Sequence, residues 1–511
     1  MLAKINSLGV RGIDGFAVSV EVYVARGLPA FSIVGLADTE VKESKERVVA
    51  AIRNSGFEFP SKRITVNLSP AEVKKCGTHF DLPIALGILS ACGALKGAES
   101  ALDRRIFVGE LALDGGIRPV TGVLPMLLAL RKDRSAEVVV PEGNAAEAAV
   151  SGVRAFSAPD LRALAACLTG GEEPRRCAGP AAAPEPGPSA GRGDFSEVKG
   201  QAFAKRALEI AAAGGHNALL VGPPGAGKSM LARRFAGIMP PITDDEALEV
   251  TKIYSVCGLL RGGKVVRSRP FRDPHHTISD IALIGGGSRP RPGEVSMAHN
   301  GVLFLDELAE FSRSSLEVLR EPLESFQVTV SRARESARFP ARFTLIAASN
   351  PCPCGFLGHP DRGCGCTPMQ IQRYRGRISG PLLDRIDLNI QLSPLRYENW
   401  ARRSEGEPSA AIRERVVRAR EIQTARLAGS GATANAFMSA AQIREFCAVP
   451  SGGGAVLEAA MNRLGLSARS LDKILKISRT IADLEGCAAI RKEHIVEAIQ
   501  YRSFDRAASQ G

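Results

Sequence analysis

Three stretches of this chain place residue types at spacings that suit chemistry on a phosphate chain. The first is Gly222-Pro223-Pro224-Gly225-Ala226-Gly227-Lys228-Ser229, followed by Met230. Its glycines allow a tight loop whose backbone N–H groups point inward. Those donors, with the positive end of the helix predicted from Met230 onward, receive phosphate oxygens. Lys228 supplies a movable charge for the outer phosphates, and the Ser229 hydroxyl is a ligand for Mg²⁺. The second stretch, Gly301-Val302-Leu303-Phe304-Leu305-Asp306-Glu307, is an apolar strand ending in two carboxylates, the Walker B pattern. Asp306 would hold Mg²⁺ with Ser229 or through water, and Glu307 would polarise the attacking water as general base. The third is an apolar run, Phe343-Thr344-Leu345-Ile346-Ala347-Ala348, ending at Ser349-Asn350. A side-chain amide there can sense the γ-phosphate. A helix N-cap at Asp306-Glu307 and a turn at Asn350 are the plainer readings, and the order of the three stretches favours nucleotide chemistry.

Further candidates surround these. Arg385, in Leu382-Leu383-Asp384-Arg385-Ile386-Asp387-Leu388, can reach a neighbouring subunit's nucleotide and neutralise transition-state charge. Arg377 is its rival, and a surface ion pair the alternative. Ser467-Ala468-Arg469 opens a helix from which Arg469 can swing onto the γ-phosphate of its own chain. Cys352, Cys354, Cys364 and Cys366 form two close pairs of soft ligands that suit tetrahedral, structural Zn²⁺. Metal-free thiols and redox chemistry are the other readings of that cluster. His275 and His276 are read as structural. Between Val328 and Phe339 the alternation predicts a β-hairpin with Arg332 and Arg334 near its tip. Arginines there suit sequence-independent phosphate contact, and a solvated basic turn is the alternative.

The elements that must position these residues follow from length and patterning. With 511 residues the chain exceeds one ordinary core. Hydrophobic content of 45% and charged content of 23% describe a soluble globular class, and the net charge of +12 fits either a solvated basic surface or a polyanionic partner. Met1 to Leu8 lacks a long apolar core, and the most apolar run, Leu82 to Leu95, is interrupted by Pro83. No signal, no membrane span and a cytoplasmic location are therefore expected, with most of the eleven cysteines reduced. Residues 1–170 read as a mixed α/β domain. Its expected elements are a strand at Val18–Val24, a helix capped by Asp38, a strand around Ile64–Leu68, a helix Phe80–Leu95, and strands near 106–108 and 138–140. Residues 171–193 read as a Pro-rich linker and 194–394 as a mostly parallel α/β domain. Residues 395–511 read as a lid of five helices, at 410–427, 439–447, 457–464, 468–484 and 491–502.

Taken together, Gly222–Ser229, Asp306-Glu307, Asn350, Leu382–Leu388 and Ser467–Arg469 resemble the magnesium-chelatase branch of AAA+ ATPases. Within that branch the chain is similar to the YifB/ComM family across its length. The similarity includes Pro270-Phe271-Arg272-Asp273-Pro274-His275-His276-Thr277 and Gly285-Gly286-Gly287. The resemblance implies a P-loop AAA+ core with a helical lid, using ATP and Mg²⁺. Asn350 would be sensor 1, Arg385 the arginine finger, Arg469 sensor 2, and the Arg332/Arg334 hairpin would face a ring channel. It also implies a homohexamer acting on single-stranded or branched DNA, as in branch migration. A chelatase-like motor and a protein unfoldase are the alternatives. The first domain is similar to the proteolytic domain of Lon, of ribosomal S5 domain 2-like α/β fold. Lys75-Cys76-Gly77-Thr78-His79, Gly109–Leu113 through Pro119, and Leu127-Leu128 carry this match. His79 and Leu124 stand where that family has serine and lysine, which implies a catalytically dead domain, with Thr78 and Arg118 the alternative.

Overall fold

The computed structural model describes residues 1–133, 135–178, 193–260, 264–287, 290–332, 335–394 and 406–502. They fall into two compact units: Met1–Pro184 with Ala247–Val266, and Glu185–Glu246 with Arg267–Gly511. The sequence boundaries at 170 and 193 did not separate the segment Ala247–Val266. It packs with the first unit, where the Ser255 hydroxyl donates to Glu147 and the Gly122 N–H to the Ser255 carbonyl.

The first unit is built on an eight-stranded mixed sheet. In spatial order its strands are Arg175–Arg176, Arg154–Ala158, Glu137–Pro141, Arg105–Phe107, Leu2–Arg11, Asp14–Ala25, Arg63–Ser69 and Ala30–Val34. The alternation of Val18, Val20, Val22 and Val24 turns one face of strand Asp14–Ala25 onto the core, where all four are buried. Helix Asp81–Ala91 lies on that face. A Cβ at Gly87 would stand 2.5 Å from Val22 Cγ2, so only glycine permits this approach. The helix is shorter than the predicted 80–95 because Cys92 caps it and Gly93, at φ +77°, breaks the turn. Asp38 caps helix Thr39–Asn54 as expected, accepting from the Val41 N–H at 3.0 Å. Arg175–Arg176, read from sequence as linker, is an edge strand antiparallel to Arg154–Ala158.

The second unit holds a five-stranded parallel sheet in the order Phe271–Arg272, Val302–Leu305, Thr344–Ser349, Ala218–Val221, Leu388–Gln391. Its three central strands are buried throughout, which is why they read as unbroken apolar runs. Register does the functional positioning. Val221 pairs with Ser349 and Leu305 with Ala347. The residues that follow, Gly222, Asp306 and Asn350, therefore emerge together at the carboxyl edge of the sheet, where ligands of such sheets bind.

The lid helices are Ser409–Arg426, Ala440–Phe446, Gly453–Leu464, Ala468–Leu484 and Lys492–Gln500. They share one hydrophobic core with the sheet: Val416, Ile474, Ile477 and Ile481 belong to the same buried cluster as Leu208, Phe235 and Phe304. The hairpin forms from Gln327–Arg332 and Glu335–Pro340, with Val328, Val330, Ala337 and Phe339 turned inward. Arg334 and the Arg332 side chain lie outside the described residues. Among the described residues no helix is long and apolar enough to cross a membrane.

Candidate functional site

The loop after strand Ala218–Val221 needs its glycines for two different reasons. Gly225 and Gly227 have φ of +77° and +88°, with open space where a Cβ would point. Gly222 instead lies against Leu392, whose carbonyl oxygen would be 2.9 Å from a Cβ. Helix Lys228–Ile238 starts directly from Gly227, so its unpaired N–H groups face the loop. The Pro223 carbonyl accepts the Ala226 N–H at 3.3 Å, and the Ala226 carbonyl accepts from Gln201 Nε2 at 3.2 Å. Met230 is exposed on the following turn.

Lys228 Nζ donates to the carbonyls of Gly222 and Pro223, at 2.7 and 3.0 Å, and to Asn350 Oδ1 at 2.9 Å. Burial lowers its pKa, and the charges of Asp306 and Glu307 oppose that shift. The ammonium is thus half desolvated, with backbone and amide oxygens as its hydrogen-bond acceptors. A phosphate oxygen is a stronger partner than any of these. Ser229 Oγ donates to Asp306 Oδ2 at 2.6 Å. A hydroxyl and a carboxylate at this distance are hard oxygen donors that fit one Mg²⁺. Glu307 follows in the left-handed region at φ +53°, its N–H bound to Asp306 Oδ1 at 2.9 Å. A non-glycine residue held there carries local strain, and its carboxylate is exposed. His276 Nδ1 stands 3.5 Å from Glu307 Oε2. No local pattern pairs these two residues, since a chain segment of thirty residues separates them.

Arg385 and Arg469 form a second group. Both hold the same carboxylate: Glu324 Oε1 is 2.6 Å from Arg385 Nη2 and 3.0 Å from Arg469 Nη2. The Arg385 hydrogen bond holds Glu324 below the usual glutamate range. They border a cavity of about 410 Å³ that Asp384, Asp387, Lys473 and Lys476 also line, and none of Gly222–Ser229 does. The structure therefore brings Lys228, Ser229, Asp306, Glu307 and Asn350 together and groups Arg385 with Arg469 apart from them. Arg469, read from sequence as able to swing onto its own chain's γ-phosphate, is paired with Glu324 in this structure. Arg377 donates to Glu310 Oε2 at 2.8 Å and to the Ala309 carbonyl. The Leu382–Leu388 segment is anchored by Asp387, which Lys473 Nζ approaches to 3.0 Å and the Asn217 N–H to 3.0 Å. Burial works against that carboxylate's charge, but Lys473, His216 and Asn217 hold its pKa far down.

Two other clusters were singled out by sequence. Cys352, Cys354, Cys364 and Cys366 converge, with all four sulfurs within 4.8 Å of one another. In the first unit, the Thr78 hydroxyl donates to Glu110, His79 is buried against the Phe80 ring, and Leu124 is fully buried.

Three family models cover the chain: "Magnesium chelatase, subunit ChlI" matches residues 194–400, "Subunit ChlI of Mg-chelatase" residues 20–144, and "Magnesium chelatase, subunit ChlI C-terminal" residues 406–502. The chain is 42% identical to the protein YifB of Escherichia coli K12, over 99% of this chain and 98% of that protein. It is 44% identical to the competence protein ComM of Haemophilus influenzae, again over 99% and 98%. It is also similar, at 26% identity over 45% of this chain and 62% of the relative, to the Holliday junction branch migration complex subunit RuvB of Thermosipho melanesiensis.

Proposed function

The chain belongs to the YifB/ComM family of magnesium-chelatase-like AAA+ ATPases, and from that premise we propose that it is a ring-forming DNA motor. It binds ATP with Mg²⁺, assembles as a homohexamer, and moves single-stranded or branched DNA, acting as a branch-migration helicase in recombination or natural transformation. The grouping of Lys228, Ser229, Asp306, Glu307 and Asn350 at one sheet edge carries the nucleotide half of this reading. Lys228 takes the outer phosphates, Ser229 and Asp306 hold Mg²⁺, Glu307 polarises water, and Asn350 reads the γ-phosphate. Arg385 acts on the neighbouring subunit's nucleotide. Arg469 serves a γ-phosphate once it has left Glu324. A structural zinc on Cys352, Cys354, Cys364 and Cys366 is part of the same reading, and the first unit is a Lon-like domain without proteolytic function.

The DNA half is supported by the hairpin, the net charge of +12, and the names of two relatives, a competence protein and a branch-migration subunit. The hairpin lies in the chain between strands Val302–Leu305 and Thr344–Ser349, which are followed directly by Asp306 and Asn350. Covalent continuity with both strands gives a shift at the nucleotide a route to it. Arg332 and Arg334 grip phosphates there, and each lost contact should lower the salt slope of DNA binding by about one unit. Arg332→Ala with Arg334→Ala should keep basal ATPase and ring assembly but lose DNA stimulation and the movement of a four-way junction. A gel assay of junction movement, run beside phosphate release with and without single-stranded DNA, tests this. Wild-type junction movement in the double variant would remove the hairpin from its role. A wild type that neither binds DNA nor responds to it would sink the DNA reading and favour a chelatase-like motor or an unfoldase.

A further inference from the structure

The four cysteines occupy a stretch, residues 350–367, that forms neither helix nor strand between Thr344–Ser349 and Pro368–Arg375. Such a stretch has no ladder of its own hydrogen bonds to fix its path. The sulfurs stand 3.4 Å apart for Cys352 and Cys354, 3.7 Å for Cys352 and Cys364, and 3.6 Å for Cys354 and Cys364. Disulfide sulfurs lie at about 2.05 Å. Four sulfurs at about 2.3 Å from one tetrahedral Zn²⁺ lie roughly 3.8 Å from each other. The cluster therefore has the spacing of a closed metal site and not of two disulfides.

Two contacts join this loop to the nucleotide site. Gly355, at φ +81°, lies so close to the phosphate loop that a Cβ would stand 2.6 Å from Pro224 Cδ. Asn350, two residues before Cys352, is the acceptor of the Lys228 hydrogen bond. The Cys352–Gly355 turn, closed by the Gly355 N–H on the Cys352 carbonyl at 3.0 Å, thus spans from the amide to the loop. We infer that zinc on Cys352, Cys354, Cys364 and Cys366 braces the nucleotide site, fixing Asn350 and Pro224 in register so that metal occupancy sets ATP affinity. The inference rests on the zinc assignment made above and is independent of DNA.

The test uses the full-length reduced protein and two readouts that involve no DNA. Metal content is counted by elemental analysis, with cobalt substitution giving the visible bands of a tetrahedral thiolate site. Affinity is read with a fluorescent ATP analogue before and after reversible metal removal by a mercurial, then after zinc is returned. The expected result is about one zinc per chain, ATP binding weakened about tenfold on removal, and recovery on reloading. Gly355→Ala supplies the second arm: it should keep the zinc and still weaken ATP binding, because the added methyl meets Pro224. Reduced protein that holds neither zinc nor cobalt would overturn the zinc assignment and the brace with it. Zinc present, with ATP affinity unchanged both by its removal and by Gly355→Ala, would overturn the brace alone.

Discussion

The nucleotide site and the Thr78–Asp81 region of the first unit use similar residue types to opposite ends. Around Lys228 the acceptors are two backbone carbonyls and an amide oxygen, and Gly225 and Gly227 border open space. The positive charge there is desolvated and left for a ligand. In the first unit the Asp81 carboxylate is met by an opposite charge, and its neighbours are taken up by local hydrogen bonds. Arg47 holds Asp81 in two hydrogen bonds, at 2.7 and 3.1 Å, and burial pushes that carboxyl up to about 6. The Thr78 hydroxyl is on Glu110, Lys75 Nζ on the Pro70 carbonyl, and the Leu124 N–H on Glu147. A polar cluster becomes chemistry when its charge is uncancelled beside open space. When each group is consumed by a neighbour, it becomes a joint in the fold.

The largest effect that sharpens this contrast comes from the second arginine group. Arg385→Ala should lower ATP turnover by about 10³ or more while ATP binding survives. Lys228→Ala should lose binding, because the phosphates lose their charged partner. Mixing the two variants should restore part of the activity, since each supplies what the other lacks at mixed interfaces. Mixed rings without recovery, in a phosphate-release assay, would count against Arg385 acting on a neighbour.

A smaller effect separates structural carboxylates from functional ones inside the ATPase unit. Asp194 accepts from the Ser196 N–H at 2.8 Å and the Ser409 N–H at 3.1 Å. Burial raises its pKa, but these donors prevail and hold it at about 2, below its ordinary 3.8. Its contribution to stability is then complete above about pH 3.8 and lost as pH falls through about 2. Asp194→Ala should cost about 1 kcal/mol near neutral pH. The gap from wild type in denaturant melts should close toward pH 2, and a gap that widens on acidification would contradict the capping account. The smallest expected effect belongs to the first unit. Thr78→Ala and His79→Ala should leave ATP turnover within about twofold, and neither they nor the wild type should cleave an unfolded protein substrate. Cleavage by the wild type that Thr78→Ala abolishes would break the contrast outright.

Much of the nucleotide site was legible because each part is local. A loop, a strand ending in Asp306-Glu307 and a strand ending at Asn350 are read from adjacent residues, and parallel register then brings them to one edge. The lid helices and the hairpin were legible for the same reason, through period and turn residues. What sequence left open is long-range pairing. Glu324 joins Arg385 and Arg469 although 145 residues separate it from the latter, and no periodicity encodes that meeting. The placement of Ala247–Val266 with the first unit, the approach of His276 to Glu307, and the fit of Gly355 against Pro224 belong to the same class. The short strand Arg175–Arg176 escaped because two exposed arginines carry no alternation to detect.

If Glu307 activates water while the rest of the site binds the nucleotide, its loss should separate turnover from binding. Glu307→Gln keeps the shape and removes the charge, so one comparison of equilibrium ATP binding with steady-state phosphate release tests it most directly. Binding should equal wild type, with turnover reduced by about 10² or more. Turnover at the wild-type rate, or loss of ATP binding together with turnover, would contradict it.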